Sequence, residues 1–204
     1  MDSIHQQIAD KIDRLGTGEL VFPVDFRGVG SEDAIKMSLS RHVKMNRLER
    51  LGHGIYLKAG KVSKMPAPEV VARAIAKKEK VRIRPAGQSA LYQLGMTATQ
   101  PNELIYLTDG EPRNIKIGNQ RLIFKSTTGK KLSLSDTTSG LLVLALDELG
   151  KDQVTEKLTS QITEKLKSID QKAWPKDLQL AAGWIYNLLL KLYQQSANEN
   201  YEPY

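Results

Sequence analysis

The sequence predicts an α+β fold, and three observations carry that prediction. Ser31 to Lys58 reads as a capped helix, a sharp stop and two short strands around a glycine-flanked tip. Residues 81–125 hold short alternating apolar and polar runs punctuated by Gly, Pro and an Asp-Gly step, as in a small sheet. From about Leu134 onward, apolar residues recur three and four apart, as in packed helices.

Taken in order, the chain opens with a helix over residues 3–15, capped by Ser3, with Ile4, Ile8, Ile12 and Leu15 on its buried stripe. Gly16-Thr17-Gly18 ends it, and Leu20-Val21-Phe22 follows as a short strand. Pro23 opens a brief helical turn through Phe26 that Gly28 and Gly30 stop. Ser31 caps the next helix, with Glu32 and Asp33 in the first turn, where carboxylates suit the positive end of the dipole. Ile35, Leu39 and Val43 are its apolar stripe, and Asn46 stands where a left-handed residue must end it. Strands at 48–51 and 55–58 then flank Gly52-His53-Gly54. Residues 1–60 thus have the plan of a winged helix-turn-helix.

A linker is expected over residues 61–68, where two prolines, a glycine and small residues interrupt both periodicities. Residues 69–196 form a second, mixed α/β domain with a small sheet and a helical end, and 197–204 a polar tail. Its expected elements begin with a helix over 69–80 with Val70, Val71, Ala74 and Ile75 inward. A strand over 81–84 follows, then a turn at Pro85-Ala86-Gly87 and a short helix through Leu94. Strands come next at 104–107, 115–117 and 121–125, the last two joined by Gly118-Asn119. Helices are expected over 141–149, 152–169 and 176–193. Tyr92, Tyr106, Trp174 and Trp184 sit in apolar patterns that point to the core.

Charge is placed unevenly. The net formal charge is +7, and residues 34–61 hold seven Lys/Arg against the single acid Glu49. Such a surplus suits phosphates, because each one neutralised releases counterions. A basic, solvated helix used for protein contact would carry the same charges. Cysteine is absent, which excludes disulfide and thiolate chemistry and fits the cytoplasm. The charged N-terminal segment lacks a signal-peptide apolar region, and no window is apolar enough to span a membrane. Catalytic constellations are not apparent. His5, His42 and His53 lack metal-ligand spacing, and no phosphate loop or nucleophile elbow occurs, so neither an enzyme nor a cofactor is expected.

On this plan Lys36, Met37, Ser40, Arg41 and Lys44 face the DNA major groove, with Arg41 suited to bidentate guanine readout and the lysines to phosphates. Arg47, Arg50, His53 and Lys58 track the backbone along the wing. Arg82, Arg84, Lys116, Arg121 and Lys125 are expected on the exposed face of the small sheet, as a second phosphate- or partner-binding surface or as a solvated edge.

Three segments carry a family resemblance: AIKMSLSRHVKMNRLERLGHGIYLK, PAPEVVARAIAKKEKVRIRPAGQSALYQLGM and IYLTDGEPRNIKIGNQRLIFK. Together they resemble the AbiEi-family antitoxins of type IV toxin–antitoxin systems, most closely a subgroup labelled as a domain of unknown function. The likeness covers roughly residues 1–150, and its more specific part is Arg84-Pro85-Ala86-Gly87 with Leu94-Gly95 and Tyr106 to Gly110. It implies a head that binds inverted repeats upstream of its own operon and represses it, as monomer or dimer on the DNA. It also implies a C-terminal domain that opposes a nucleotidyltransferase-like toxin in abortive phage defence without a stable complex. His42 stands where such heads place leucine, which argues for a semi-buried role rather than a DNA contact. The alternative is a winged-helix regulator whose C-terminal domain binds a ligand or protein, with no toxin.

Overall fold

The computed structural model describes residues 3–60 and 65–199 and is α+β, with helices and two small sheets. Contacts divide it into two compact units, residues 1–80 with 114–122, and residues 81–113 with 123–204.

In the first unit, α1 (Ile4–Asp13) is capped by the Ser3 hydroxyl, which accepts from the Gln6 amide at 3.1 Å. Strand β1 (Leu20–Val21) leads into a single 3-10 turn at Pro23–Phe26, closed by the Asp25 carboxylate accepting from the Phe22 amide. Helix α2 (Glu32–Lys44) follows, capped by Ser31 as its sequence requires. Strands β2 (Leu48–Gly52) and β3 (Ile55–Lys58) form the hairpin, and β1 adds to β3 antiparallel, giving the order β1-β3-β2. Ile8, Ile12, Phe26, Ile35, Leu39 and Leu48 close one core between these elements.

Helix α3 (Pro68–Glu79) belongs to this unit, whereas the sequence reading assigns it to the second domain. Lys78 explains the placement, since it pairs with Asp25 and lies 5.8 Å from the Phe22 ring centre. The buried face is also rotated from the expected one. Pro68, Val71, Ala72 and Ile75 are inside, and Val70 is 54% exposed. Both stripes have helical spacing, and only tertiary packing decides between them. Of the expected linker, residues 61–64 lie outside the described residues.

In the second unit, β4 is Ile83–Ala86 and pairs antiparallel with β5 (Glu103–Thr108). The expected turn at Pro85 is therefore a strand position, opposite Tyr106. The sheet order β4-β5-β7-β6 makes β4 an edge strand, where a residue without an N–H is tolerated. Helix α4 (Gln88–Gln93) follows, and its Tyr92 is exposed rather than buried. Strands β6 (Arg113–Ile117) and β7 (Gln120–Ser126) meet across Gly118-Asn119 as expected, and residues 114–122 of this hairpin are grouped with the first unit. Gly118 takes φ 58 at the first position of that two-residue loop, a conformation glycine adopts without strain.

The stretch expected to turn helical from Leu134 opens with a loop and becomes helical at α6 (Thr138–Leu149), and a short helix the sequence reading lacks, α5 (Gly129–Leu132), precedes it. The expected 152–169 helix is shorter, α7 (Glu156–Leu166), because Thr155 caps it through the Leu158 amide after a separate 3-10 turn. The expected 176–193 helix is two, α8 (Trp174–Leu180) and α9 (Gly183–Glu199), broken where Ala181 turns extended. Helix α9 thus runs into the expected tail, of which residues 200–204 lie outside the described residues. Leu142, Leu144, Leu146, Ile162, Ile185 and Leu189 sit at the centre of this unit's core. Among the described residues no helix is long and apolar enough to cross a membrane.

Candidate nucleic-acid interface

The candidate interface is built on α2, so what fixes α2 fixes the interface. Its buried side carries Ile35, Ser38, Leu39 and His42. His5 of α1 covers the polar part of that side. Its ring stacks on His42 at 4.5 Å between centroids and 14° between planes, and its Nδ1 lies 2.9 Å from the Ser38 hydroxyl. His42 is fully buried, and neither ring nitrogen has a hydrogen-bond partner. Burial, with the nearby His5 and Arg47 adding to it, holds its pKa down to about 4, so the ring is neutral near pH 7.

The C-terminus of α2 stops in a Schellman motif. Asn46 takes φ 55, its amide donates to the Val43 carbonyl, and the Arg47 amide donates to the His42 carbonyl, both at 3.0 Å. The chain leaves this stop directly into β2. Asp13, the last residue of α1, then ties the region together. Its carboxylate pairs with Arg47 and lies 3.7 Å from Lys58 Nζ, and the Arg47 contact holds its pKa below the usual carboxylate value. Arg47 and Lys58, expected on the DNA backbone, are thereby committed to joining α1, the α2 stop and the end of β3.

The opposite side of α2 is solvent-facing along two neighbouring rows, with the residues in each row one turn apart. Lys36, Ser40 and Lys44 make one, and Met37, Arg41 and Met45 the other, all exposed. Met37 and Met45 are 58% and 57% exposed. Lys36 makes an exposed pair with Glu32 at 3.6 Å, a contact of small energy that a phosphate can displace. On the hairpin, Arg50 is exposed, with its Nε donating to the Gly52 carbonyl at 3.2 Å, and His53 is exposed at the tip. Of the nine residues expected at DNA, seven therefore present exposed side chains: Lys36, Met37, Ser40, Arg41, Lys44, Arg50 and His53.

The expected second basic surface is differently constituted. Arg82 donates from its backbone amide and Nε to the Asp109 carboxylate at 2.7 and 2.9 Å, which lowers the Asp109 pKa. Arg84 donates to the Leu134 carbonyl at 3.1 Å and pairs with Asp136 at 3.0 Å, and Lys125 pairs with Glu148. Lys116 and Arg121 are exposed on the part of the hairpin grouped with the first unit. These cations are not one surface within a single unit, and three of them are neutralised by named acids.

Two further features escape sequence reasoning. Asp177 of α8 is fully buried and accepts from the Ser135 amide at 2.9 Å and from the Ser135 and Ser139 hydroxyls, pinning the start of α6. Gly140 is required beside it, because a Cβ there would stand 2.1 Å from the Ser135 carbonyl oxygen. The second unit also holds a cleft of about 590 Å³ whose lining includes the apolar Leu91, Met96 and Leu158 and the polar Gln88, Gln153, Lys157 and Gln161. Among the described residues no group of three or more His, Asp or Glu could hold a metal ion.

Comparison with solved structures finds the crystal structure of the RV2827C protein from Mycobacterium tuberculosis, with a TM-score of 0.59 and 10% identity. The likeness covers 96% of this chain and 78% of that one, and at this identity it concerns the fold alone. No curated protein matches the sequence. A family match extends over residues 7–174, and the chain belongs to that family, the family of unknown function DUF6088.

Proposed function

We propose that the chain is a DNA-binding transcriptional autoregulator, with residues 1–60 acting as a winged helix-turn-helix head. The observation that carries this is the exposed double row on α2, with Lys36, Ser40, Arg41 and Lys44 outward beside a basic hairpin. The order of α1, β1, the 3-10 turn, α2 and the β2–β3 hairpin, with β1 paired to β3, is the arrangement such heads use. Arg41 reads a guanine edge, and Lys36, Lys44 and Arg50 hold phosphates. Glu32 and Asp33 keep phosphates away from the first turn, so contact concentrates on the helix from Lys36 onward.

The test is a gel shift on the DNA upstream of the protein's own coding sequence, against a random duplex at about physiological salt. Specific binding should resist the competitor. Arg41→Ala should cost about 1–3 kcal/mol on the specific duplex and little on the random one. Lys44→Ala should weaken both alike and flatten the salt dependence by about one unit. Equal losses from Arg41→Ala on both duplexes would remove Arg41 from base reading.

The resemblance to AbiEi-family antitoxins supports a further role, opposing a nucleotidyltransferase-like toxin from the same operon without a stable complex. Growth rescue on co-expression with such a neighbouring gene tests it. The cleft in the second unit favours a second reading, a regulator tuned by a small ligand with an apolar body and a polar edge. A metabolite extract that changes the head's DNA affinity, and no longer does so after Gln161→Ala, would support that reading.

A further inference from the structure

Met37 and Met45 are the most exposed large apolar side chains among the described residues, and both lie in the row of Arg41, one turn before and one turn after it. Scattered exposed apolar residues are ordinary, but two thioethers aligned with a solvent-facing arginine amid cations form an ordered pattern. Lys36, Ser40, Arg41 and Lys44 surround Met37 with groups suited to a polyanion, and on the proposed reading that partner is nucleic acid. In the major groove of unmodified DNA the apolar group on offer is the C5-methyl of thymine.

We infer that Met37 packs on a thymine methyl beside the guanine read by Arg41, so that the recognised site carries a thymine about two base pairs from that guanine. The spacing follows from geometry. Four helical residues rise about 6 Å, and successive base pairs lie about 3.4 Å apart. Methionine suits the role because its unbranched chain adapts to a methyl group without fixing one register. The inference rests on the DNA-binding reading above and adds a base preference to it.

The experiment starts with full-length protein and duplexes selected from a random pool at fixed salt. In the tightest duplex each thymine is replaced singly by deoxyuridine, which removes the methyl and keeps the pairing. One replacement should weaken wild-type binding about fourfold, the worth of burying one methyl. Met37→Ala should bind the thymine and uracil duplexes equally, and Met37→Leu should restore part of the difference. Both variants should melt as the wild type does, since the side chain is exposed. A wild type indifferent to every deoxyuridine, or a Met37→Ala protein that keeps the full penalty, overturns the inference and leaves the DNA-binding reading intact. Failure to enrich any duplex overturns both.

Discussion

His42 gives the first unit a built-in sensitivity to acid. The unfolded chain binds a proton on this ring near pH 6.5, whereas the folded ring resists it down to about 4. Between those values the unfolded state holds more protons, so stability is full above about pH 6.5 and falls as pH drops toward 4. The slope is about 1.4 kcal/mol per pH unit for one group. Asp13 also loses its contribution in acid, but only below its ordinary value of 3.8, outside this window. Chemical denaturation should show wild-type protein losing about 2 kcal/mol between about pH 7.5 and pH 5. His42→Leu should lose less than half of that, because it removes both unsatisfied nitrogens and the titration while keeping apolar bulk. An unchanged pH slope in His42→Leu would assign the acid sensitivity to another group.

At the scale of elements, Asp13 separates cations that hold the fold from cations that face solvent. Arg47→Ala breaks its pair and should lower stability with the salt dependence of DNA binding unchanged, while Arg50→Ala should lower that salt slope by about one unit with stability unchanged. Equal salt effects from the two would mean that Arg47 leaves Asp13 to hold a phosphate. Sequence alone contained a sign of this, since an acid at the last residue of α1 opposes the helix dipole and needs another reason to be there. The elements of the first unit up to residue 58 were otherwise legible because their signals are local: Ser3 and Ser31 cap, Asn46 turns left-handed, and Gly52 and Gly54 flank the tip. Legibility failed where distant packing decides. The edge position of β4 admits Pro85, the face of α3 rotates away from Val70, and α8 separates from α9 at Ala181-Ala182, two residues that favour helix. Asp177 belongs to the same class, because its partners Ser135 and Ser139 lie about forty residues away. Asp177→Ala should cost about 2–4 kcal/mol by leaving buried donors unpaired, read as a lowered denaturation midpoint, with Asp177→Asn closer to wild type. A midpoint unchanged in Asp177→Ala would mean that water replaces the carboxylate.

For the whole molecule, net charge overstates the positive charge available to the proposed DNA partner. The chain carries 30 Lys and Arg against 23 Asp and Glu, and many of these cations are already answered within the fold. Arg82, Arg84, Lys125 and Lys131 face Asp109, Asp136, Glu148 and Asp147, while Arg47 and Lys58 share Asp13. Each such pair must give up an acid before it can take a phosphate, and the carboxylate left behind then repels the same phosphate. On the proposed interface the cations expected on phosphates are Lys44, Arg50 and Lys36, whose exposed pair with Glu32 at 3.6 Å a phosphate displaces at little cost. Each phosphate neutralised contributes about 0.9 to the slope of log affinity against log salt. A half-site duplex carrying one head should thus give a slope of about −3, and two heads on an inverted repeat about −5. Were Arg82, Arg84, Lys116, Arg121 and Lys125 to join on the same duplex, the slope for one head would approach −7. Titrations at several salt concentrations distinguish these values readily. A slope near −3 confines DNA contact to α2 and its hairpin, which leaves residues 81–199 available for a toxin or a ligand. A slope near −7 would bring the sheet's cations onto the backbone, and the acids that hold Arg82, Arg84 and Lys125 would then have to turn aside when DNA binds.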